Sequence, residues 1–435
     1  MLLVAMALLL GGGGIDSVIN PLLVELAAVG VLAMLLATTS GFAVERRAAP
    51  LLIVLVLAVL LPALQMVPLP PLVWALLPGR SVAVQAFDLV GASAKWHPLS
   101  LDPEATGRSA LALLPAVAAF LGVLCLDYPQ RYRLVILIVG IAFAGALFSA
   151  IQFAGGTGGG LNLYRLSHYG VGVGFFANRN HDADLLLIAP LLAAAVLRWD
   201  PWGTFGSRAR PAALILLGVF ALGVLTTFSR TGVALLAPVA AIVVLMSVRI
   251  RDRRMLLAVL GGGVAVAVAL GLVLRSNGVI GGLLSRFSMQ SDERFSFWPD
   301  VLYAIRQYLP WGSGLGTFDP VFRSVEQLDN VLAAYVVHAH NDYAELALET
   351  GVPGLILVAA GILSIGAALF ERGAIARFRS DPVRLASALG IAVLLLHSLV
   401  DYPLRTVALS TLFGVLCALL VRPASLLRDA RAKVQ

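Results

Sequence analysis

The chain has 435 residues, 60% of them hydrophobic and only 13% charged, with a net charge of +7 and a mean hydropathy of +0.93. A soluble domain carries about 25% charged residues, so this composition excludes a water-soluble globular chain. The basic surplus lies in short loops between apolar runs and gives no reason to expect nucleic acid as a partner; the alternating strands of an outer-membrane barrel are absent as well. The expected fold class is all-α, a polytopic integral membrane protein forming a single membrane domain over residues 1–435.

A spanning helix needs about 20 mostly apolar residues. On that measure the sequence predicts about 12 transmembrane helices, at 1–14, 20–40, 49–67, 107–126, 134–154, 181–198, 211–228, 231–248, 255–274, 342–370, 385–400 and 406–421. The first is short: fourteen residues cover about 21 Å of a core roughly 30 Å thick. It has no basic n-region, so it does not read as a signal peptide either, and a truncated start would account for it. Glu25 falls near one end of the second span, where a polar contact inside the bundle is the only role it suggests. Cys125 and Cys417 sit inside apolar runs and read as small core residues, with no disulfide framework.

Lys and Arg in the loops set the orientation. Most of the 31, including Arg46, Arg47, Arg131, Arg133, Arg249, Arg251, Arg253 and Arg254, fall in one set of short loops, which faces the cytoplasm by that rule. If the first span is real, both termini are cytoplasmic too. The opposite face then carries three substantial loops, 68–106, 155–180 and 275–341. The last is about 65 residues long and precedes the tenth span; loops of that length are often functional.

Within the first loop, Trp96-His97-Pro98 to Asp102-Pro103 reads as a turn with extended residues and suggests no chemistry. Arg230 sits in a turn of a few residues between two apolar spans, where an arginine either holds an anion or snorkels to lipid headgroups. Arg294 lies in the large loop beside Phe295, Phe297 and Trp298, with Asp292 and Glu293 as local ion-pair partners on the plainer reading. Residues 300–309 are amphipathic and predict a short helix on the membrane face. Pro310-Trp-Gly312-Ser-Gly314-Leu-Gly316 predicts a tight loop; it follows no strand, so a dinucleotide site is a poor reading.

At the end of the large loop the chain reads His338-Ala-His340-Asn341-Asp-Tyr343 and then Gly351-Val-Pro-Gly354. Ionisable groups where a chain re-enters the membrane are a functional-site hypothesis by default. Asn341 and Asp342 also cap helices well. The two histidines invite a metal reading, but at this spacing they cannot share a helix face and no third ligand is evident, so no metal is expected. Asp401 ends an apolar run before Tyr402-Pro403-Leu-Arg405; it either orients a catalytic arginine or histidine or pairs locally with Arg405.

His340-Asn341, nine residues, Gly351, two residues, Gly354 resembles the histidine motif of the O-antigen ligase family. Further pieces fit in order: Phe176-Ala-Asn178-Arg-Asn180-His181, Ser229-Arg230-Thr-Gly232, Arg294-Phe-Ser-Phe-Trp298, the glycine loop at 310–318, and Leu396-His397-Ser398-Leu-Val-Asp401. The resemblance runs from about residue 100 to 421. It implies a multi-pass enzyme of the bacterial inner membrane with its active site facing the periplasm. The activity implied is transfer of a glycan from undecaprenyl diphosphate to an acceptor hydroxyl, without a metal or other cofactor.

Such a transfer needs cations on the diphosphate leaving group, a base near the acceptor hydroxyl, and a wall against water. Arginine suits the first, because its guanidinium grips phosphate oxygens bidentately and keeps its charge. With the resemblance, Arg230 and Arg294 are the expected diphosphate ligands and His340 the expected general base, since histidine titrates near working pH. His338, Asn341, Trp298, Asp401, Asn178, Asn180 and Gly314 are the expected substrate-contacting or supporting residues.

The family includes ligases, whose acceptor is lipid A–core, and polymerases, whose acceptor is a second lipid-linked repeat unit. The motif does not separate them, and ligase is the preferred expectation. The chain after residue 421 is too short for the added C-terminal region of the related protein O-oligosaccharyltransferases. A 12-span transporter would show pseudo-repeats and mid-membrane polar residues, neither of which is evident. A non-catalytic partner in an export complex would not require the arginines and histidines.

Overall fold

The computed structural model describes residues 1–14, 17–38, 48–158, 161–200, 203–247, 294–331, 336–369 and 381–421. Its helices are, in chain order, α1 (Leu2–Leu10), α2 (Ile19–Thr38), α3 (Ala49–Gln65), α4 (Pro71–Ala75), α5 (Ser81–Leu89), α6 (Pro103–Ala112), α7 (Leu114–Cys125), α8 (Tyr128–Gly155), α9 (Arg179–Trp199) and α10 (Ala209–Thr227). They continue as α11 (Arg230–Ser247), α12 (Arg294–Tyr308), α13 (Phe318–Arg323), α14 (Asp342–Leu369), α15 (Pro382–His397) and α16 (Val407–Leu419). The described strands are β1 (Pro68–Leu69) and β2 (His97–Pro98), paired antiparallel with Leu69 opposite His97.

Six helical segments among the described residues are long and apolar enough to cross a membrane: Ile19–Thr38, Pro103–Cys125, Tyr128–Gly155, Gly206–Thr227, Arg230–Ser247 and Asp342–Leu369. Three shorter apolar helices, α3, α15 and α16, stand with them. The chain is thus a helical multi-pass membrane protein. The expected span 255–274 lies outside the described residues. The expected span 1–14 is only partly helical. Its helix stops at Leu10, and the carbonyls of Gly11 and Gly12 turn to accept the amides of Ala408 (3.1 Å) and Ala177 (2.8 Å). Nine helical residues reach about 14 Å, too little to span.

The bundle is organised around α9, whose residues Asn180–Leu197 are all buried. A helix that is apolar nearly all round belongs inside a protein, and α8, α10, α11 and α15 pack around this one. It fixes Asn180, His181, Asp182 and Asp184 at one end of the bundle, all buried.

A smaller layer covers that end. On α12, Phe297, Val301, Ala304 and Tyr308 recur at helical spacing and pack with Phe318 and Phe322 of α13 and with Leu348 of α14. The amphipathic helix expected at 300–309 is the later part of α12. Arg80 ties the layer together. Its Nη2 donates to the carbonyls of Leu99 (2.5 Å) and Gly312 (3.4 Å), and its guanidinium lies 5.7 Å from the Trp74 ring and 5.6 Å from that of Tyr308. Burial lowers its pKa to about 10.

Helix α14 is broken near its start. Gly351 adopts φ 60°, ψ −148°, and Pro353 follows. The break frees carbonyls that lipid could not satisfy. The glycine loop supplies the donors: the amide of Ser313 bonds Leu348 O (3.0 Å) and that of Gly314 bonds Glu349 O (2.8 Å). In return the Val352 amide donates to Pro310 O (2.8 Å). A Cβ on Gly351 would stand 2.1 Å from Pro310 O, so only glycine fits.

Candidate functional site

Asn341 caps α14, its Oδ1 accepting from the amides of Tyr343 and Ala344, both at 3.0 Å, while its Nδ2 donates to Leu399 O (2.9 Å). The cap therefore belongs to Asn341, and His340 is left for other work. His340 holds a left-handed backbone, φ 48°, which is uncommon for a residue with a side chain. Its Nδ1 meets Asp401 Oδ1 at 3.1 Å. Asp401 is fully buried, whereas the His340 side chain is 26% exposed.

Asp401 is itself held in place. Its Oδ2 accepts from Asn180 Nδ2, and its Oδ1 from the Tyr402 amide (3.0 Å). Asp401 takes the histidine, and Arg405 turns to α14. There Arg405 Nη1 meets Glu349 (2.7 Å) and its Nε faces Glu345 (3.5 Å) and Asp342 (3.8 Å). Desolvation opposes the Arg405 charge, but the three carboxylates outweigh it and hold its pKa above the ordinary arginine value.

His338 has a carboxylate partner of its own, with Nδ1 2.9 Å from Glu345 Oε1. Burial works against its imidazolium, and Glu345 outweighs it by charge and hydrogen bond, so the His338 pKa stands above the usual value. The Tyr402 ring lies among three histidines, stacked on His338 at 4.1 Å and edge-on to His340 and His181, each at 5.0 Å. Asn178 reaches both the Tyr402 hydroxyl and His181 Nε2 at 3.5 Å, and its Oδ1 accepts the Asn180 amide (2.9 Å). Deeper in the bundle, one turn before Asp401, His397 Nδ1 meets Asp184 Oδ1 at 2.5 Å, both fully buried.

The residues expected from sequence thus divide. His340, His338, Asn341, Asp401, Asn178 and Asn180 form one cluster at the head of α14. Trp298 joins it through Nε1, which donates to Ala339 O (3.0 Å). Gly314 stands apart: at φ 119°, with Ser100 Oγ 2.3 Å from where its Cβ would be, it is a packing glycine in the loop that braces α14. Arg294 opens α12 one turn before Trp298, and its side chain lies outside the described residues. Arg230 opens α11 after a turn in which Ser229 Oγ accepts the Gly232 amide (3.1 Å). A Cβ on Gly232 would meet that of Ala183 at 2.8 Å, which sets this turn against α9 two residues beyond His181.

An apolar cavity of about 400 Å³ runs beside the cluster between α3, α7, α14 and α16. Its walls include Leu51, Leu55, Leu346, Leu357 and Phe413, with Asp342, Ser398 and Arg405 among its polar lining residues. The cavity is lined for an alkyl chain, and the cluster presents imidazoles, hydrogen-bonding groups and carboxylates.

Sequence reasoning missed Tyr402, Glu345, Glu349 and Arg405 as members. A signal was present for the acids: Asp342, Glu345 and Glu349 recur three and four residues apart, on one face of an otherwise apolar helix.

Residues 212–359 match the family described as O-Antigen ligase. The matched stretch contains Arg230, Arg294, His338, His340, Asn341 and the broken helix at Gly351. No curated protein matches the chain.

Proposed function

We propose that this chain, which carries the O-antigen ligase domain, transfers a glycan from undecaprenyl diphosphate to an acceptor hydroxyl of lipid A–core. The reaction takes place at the periplasmic face of the inner membrane. The proposal includes about 12 spans and places loops 68–106, 155–180 and 275–341 in the periplasm. The observation that carries it is the His340–Asp401 pair at 3.1 Å, next in the chain to Asp342 and near Arg405, which line an apolar cavity.

Asp401 accepts the Nδ1 proton of His340, which leaves Nε2 with a lone pair for the acceptor. The acceptor hydroxyl gives its proton to Nε2 as its oxygen attacks the anomeric carbon. The bond from that carbon to the diphosphate oxygen breaks, and undecaprenyl diphosphate leaves with the electron pair. Arg230 and Arg294 stabilise the charge that grows there. In-line displacement inverts the anomeric centre. The cavity suits part of the prenyl chain, which would hold the diphosphate near the cluster.

A deletion strain tests the reading. Long glycan accumulating on undecaprenyl diphosphate with bare lipid A–core supports ligation. Single repeat units on the carrier, with loss of long chains everywhere, would replace it with polymerisation. Unchanged surface glycans and lipid-linked intermediates would overturn both.

A further inference from the structure

The least regular part of the cluster is the segment His338-Ala339-His340, and one carboxylate holds it. Glu345 Oε1 meets His338 Nδ1 at 2.9 Å, and Oε2 accepts the Ala339 amide at 2.8 Å. On the other side of the same residue, Ala339 O accepts from Trp298. Ala339, the residue before His340, is therefore held at both its amide and its carbonyl, and His340 follows with φ 48°. Such a backbone persists only where its surroundings over-determine it.

Glu345 is 1% exposed, and a buried carboxylate needs a partner to stay in place. Besides His338, Arg405 lies 3.5 Å from Glu345 as a second cation, and it also engages Glu349 and Asp342 on the two neighbouring positions of the same helix face. We propose that Glu345 is a positioning residue for His340, gripping the preceding histidine and amide, and that Arg405 holds Glu345 in register. The inference rests on the reading of His340 as the base. Neither residue touches the reacting atoms; both act through the backbone that aims the imidazole at Asp401 and the acceptor.

The experiment uses the full chain in nanodiscs, with an undecaprenyl-diphosphate-linked glycan as donor and lipid A–core as acceptor. Glu345→Gln keeps the shape and removes the charge and one strong acceptor. It is expected to lower kcat roughly a hundredfold while KM stays within about twofold, because the base is displaced and substrate binding is not. Glu345→Asp, charged but too short to span both contacts, is expected to fall similarly, and Arg405→Lys to recover part of the rate that Arg405→Met loses. A Glu345→Gln enzyme with wild-type kcat per folded molecule overturns the inference, whether or not its melting temperature falls. Undiminished transfer by His340→Ala would overturn the base reading instead, and that arm is read without any change at Glu345.

Discussion

His340 and Asp401 are 61 residues apart in the chain and meet at 3.1 Å, one on the approach to α14 and the other just past α15. The contact decides which imidazole nitrogen carries the proton. A carboxylate at Nδ1 leaves Nε2 as the basic atom. Replacing Asp401 with Asn puts a donor within reach of Nδ1 and favours the wrong tautomer. Asp401→Asn is expected to lower kcat by about 10²–10⁴ with normal membrane insertion. His340→Ala is expected to abolish transfer. Both are read from glycan transfer by purified protein.

Arg230 separates charge from geometry. Arg230→Ala is expected to reduce kcat by about 10²–10³, the usual scale for losing one preorganised donor. Arg230→Lys keeps the charge and loses the planar fork, so it should recover only part of that loss. Equal rates for wild type and Arg230→Ala would remove it from the diphosphate site.

Arg405 should be costly to remove. Its side chain is 17% exposed among three carboxylates, none more than 10% exposed. Breaking a buried cluster by deleting one partner costs roughly 3–5 kcal/mol. Arg405→Met is therefore expected to lower the detergent-solubilised melting temperature well below that of Arg405→Lys.

His338 gives a pH dependence with a definite sign. Its pKa in the folded protein is raised, so the native state binds its proton more tightly than the unfolded chain. The stabilisation is fully present below the unfolded value of about 6.5. It is lost as pH rises through the higher folded value. The melting temperature of the wild type should fall across that interval relative to His338→Gln, and parallel curves would refute the pair's contribution.

Gly351→Ala should destabilise whatever the fate of the chemistry. A left-handed backbone with a side chain costs about 1–3 kcal/mol, and the added methyl would overlap Pro310 O. Thermal unfolding of the purified variant measures it, and Gly366→Ala, in open space on the same helix, is the matched control.

Much of the membrane architecture is legible from composition alone, because lipid demands long apolar helices and the chain supplies them. Residues of the cluster are legible where they stand out against that background: His340 at a span entrance, Asp401 at a span end. Partnerships are not. Nothing local in the sequence says that Asp401 takes a histidine while Arg405, four residues on, reaches α14. Both choices depend on how the short turn Pro403–Arg405 faces α9 and α14. Gly314 shows the reverse case, where a glycine that looks ready for a ligand is used for backbone contact with Ser100. The early stop of α1 after Leu10 is likewise a tertiary matter, because Gly11 and Gly12 are recruited by the amides of Ala408 and Ala177.

The break at Gly351 divides α14 into two mechanical parts. The upper part, carrying Asp342, Glu345 and Glu349, is bonded to the glycine loop and to Arg405. The lower part continues into the membrane with most of its length unburied. A helix with continuous hydrogen bonds transmits a tilt along its axis, and an interrupted ladder absorbs it. Rocking of the lower rod by the bilayer is thereby expected to reach the histidines less than it would along an unbroken helix.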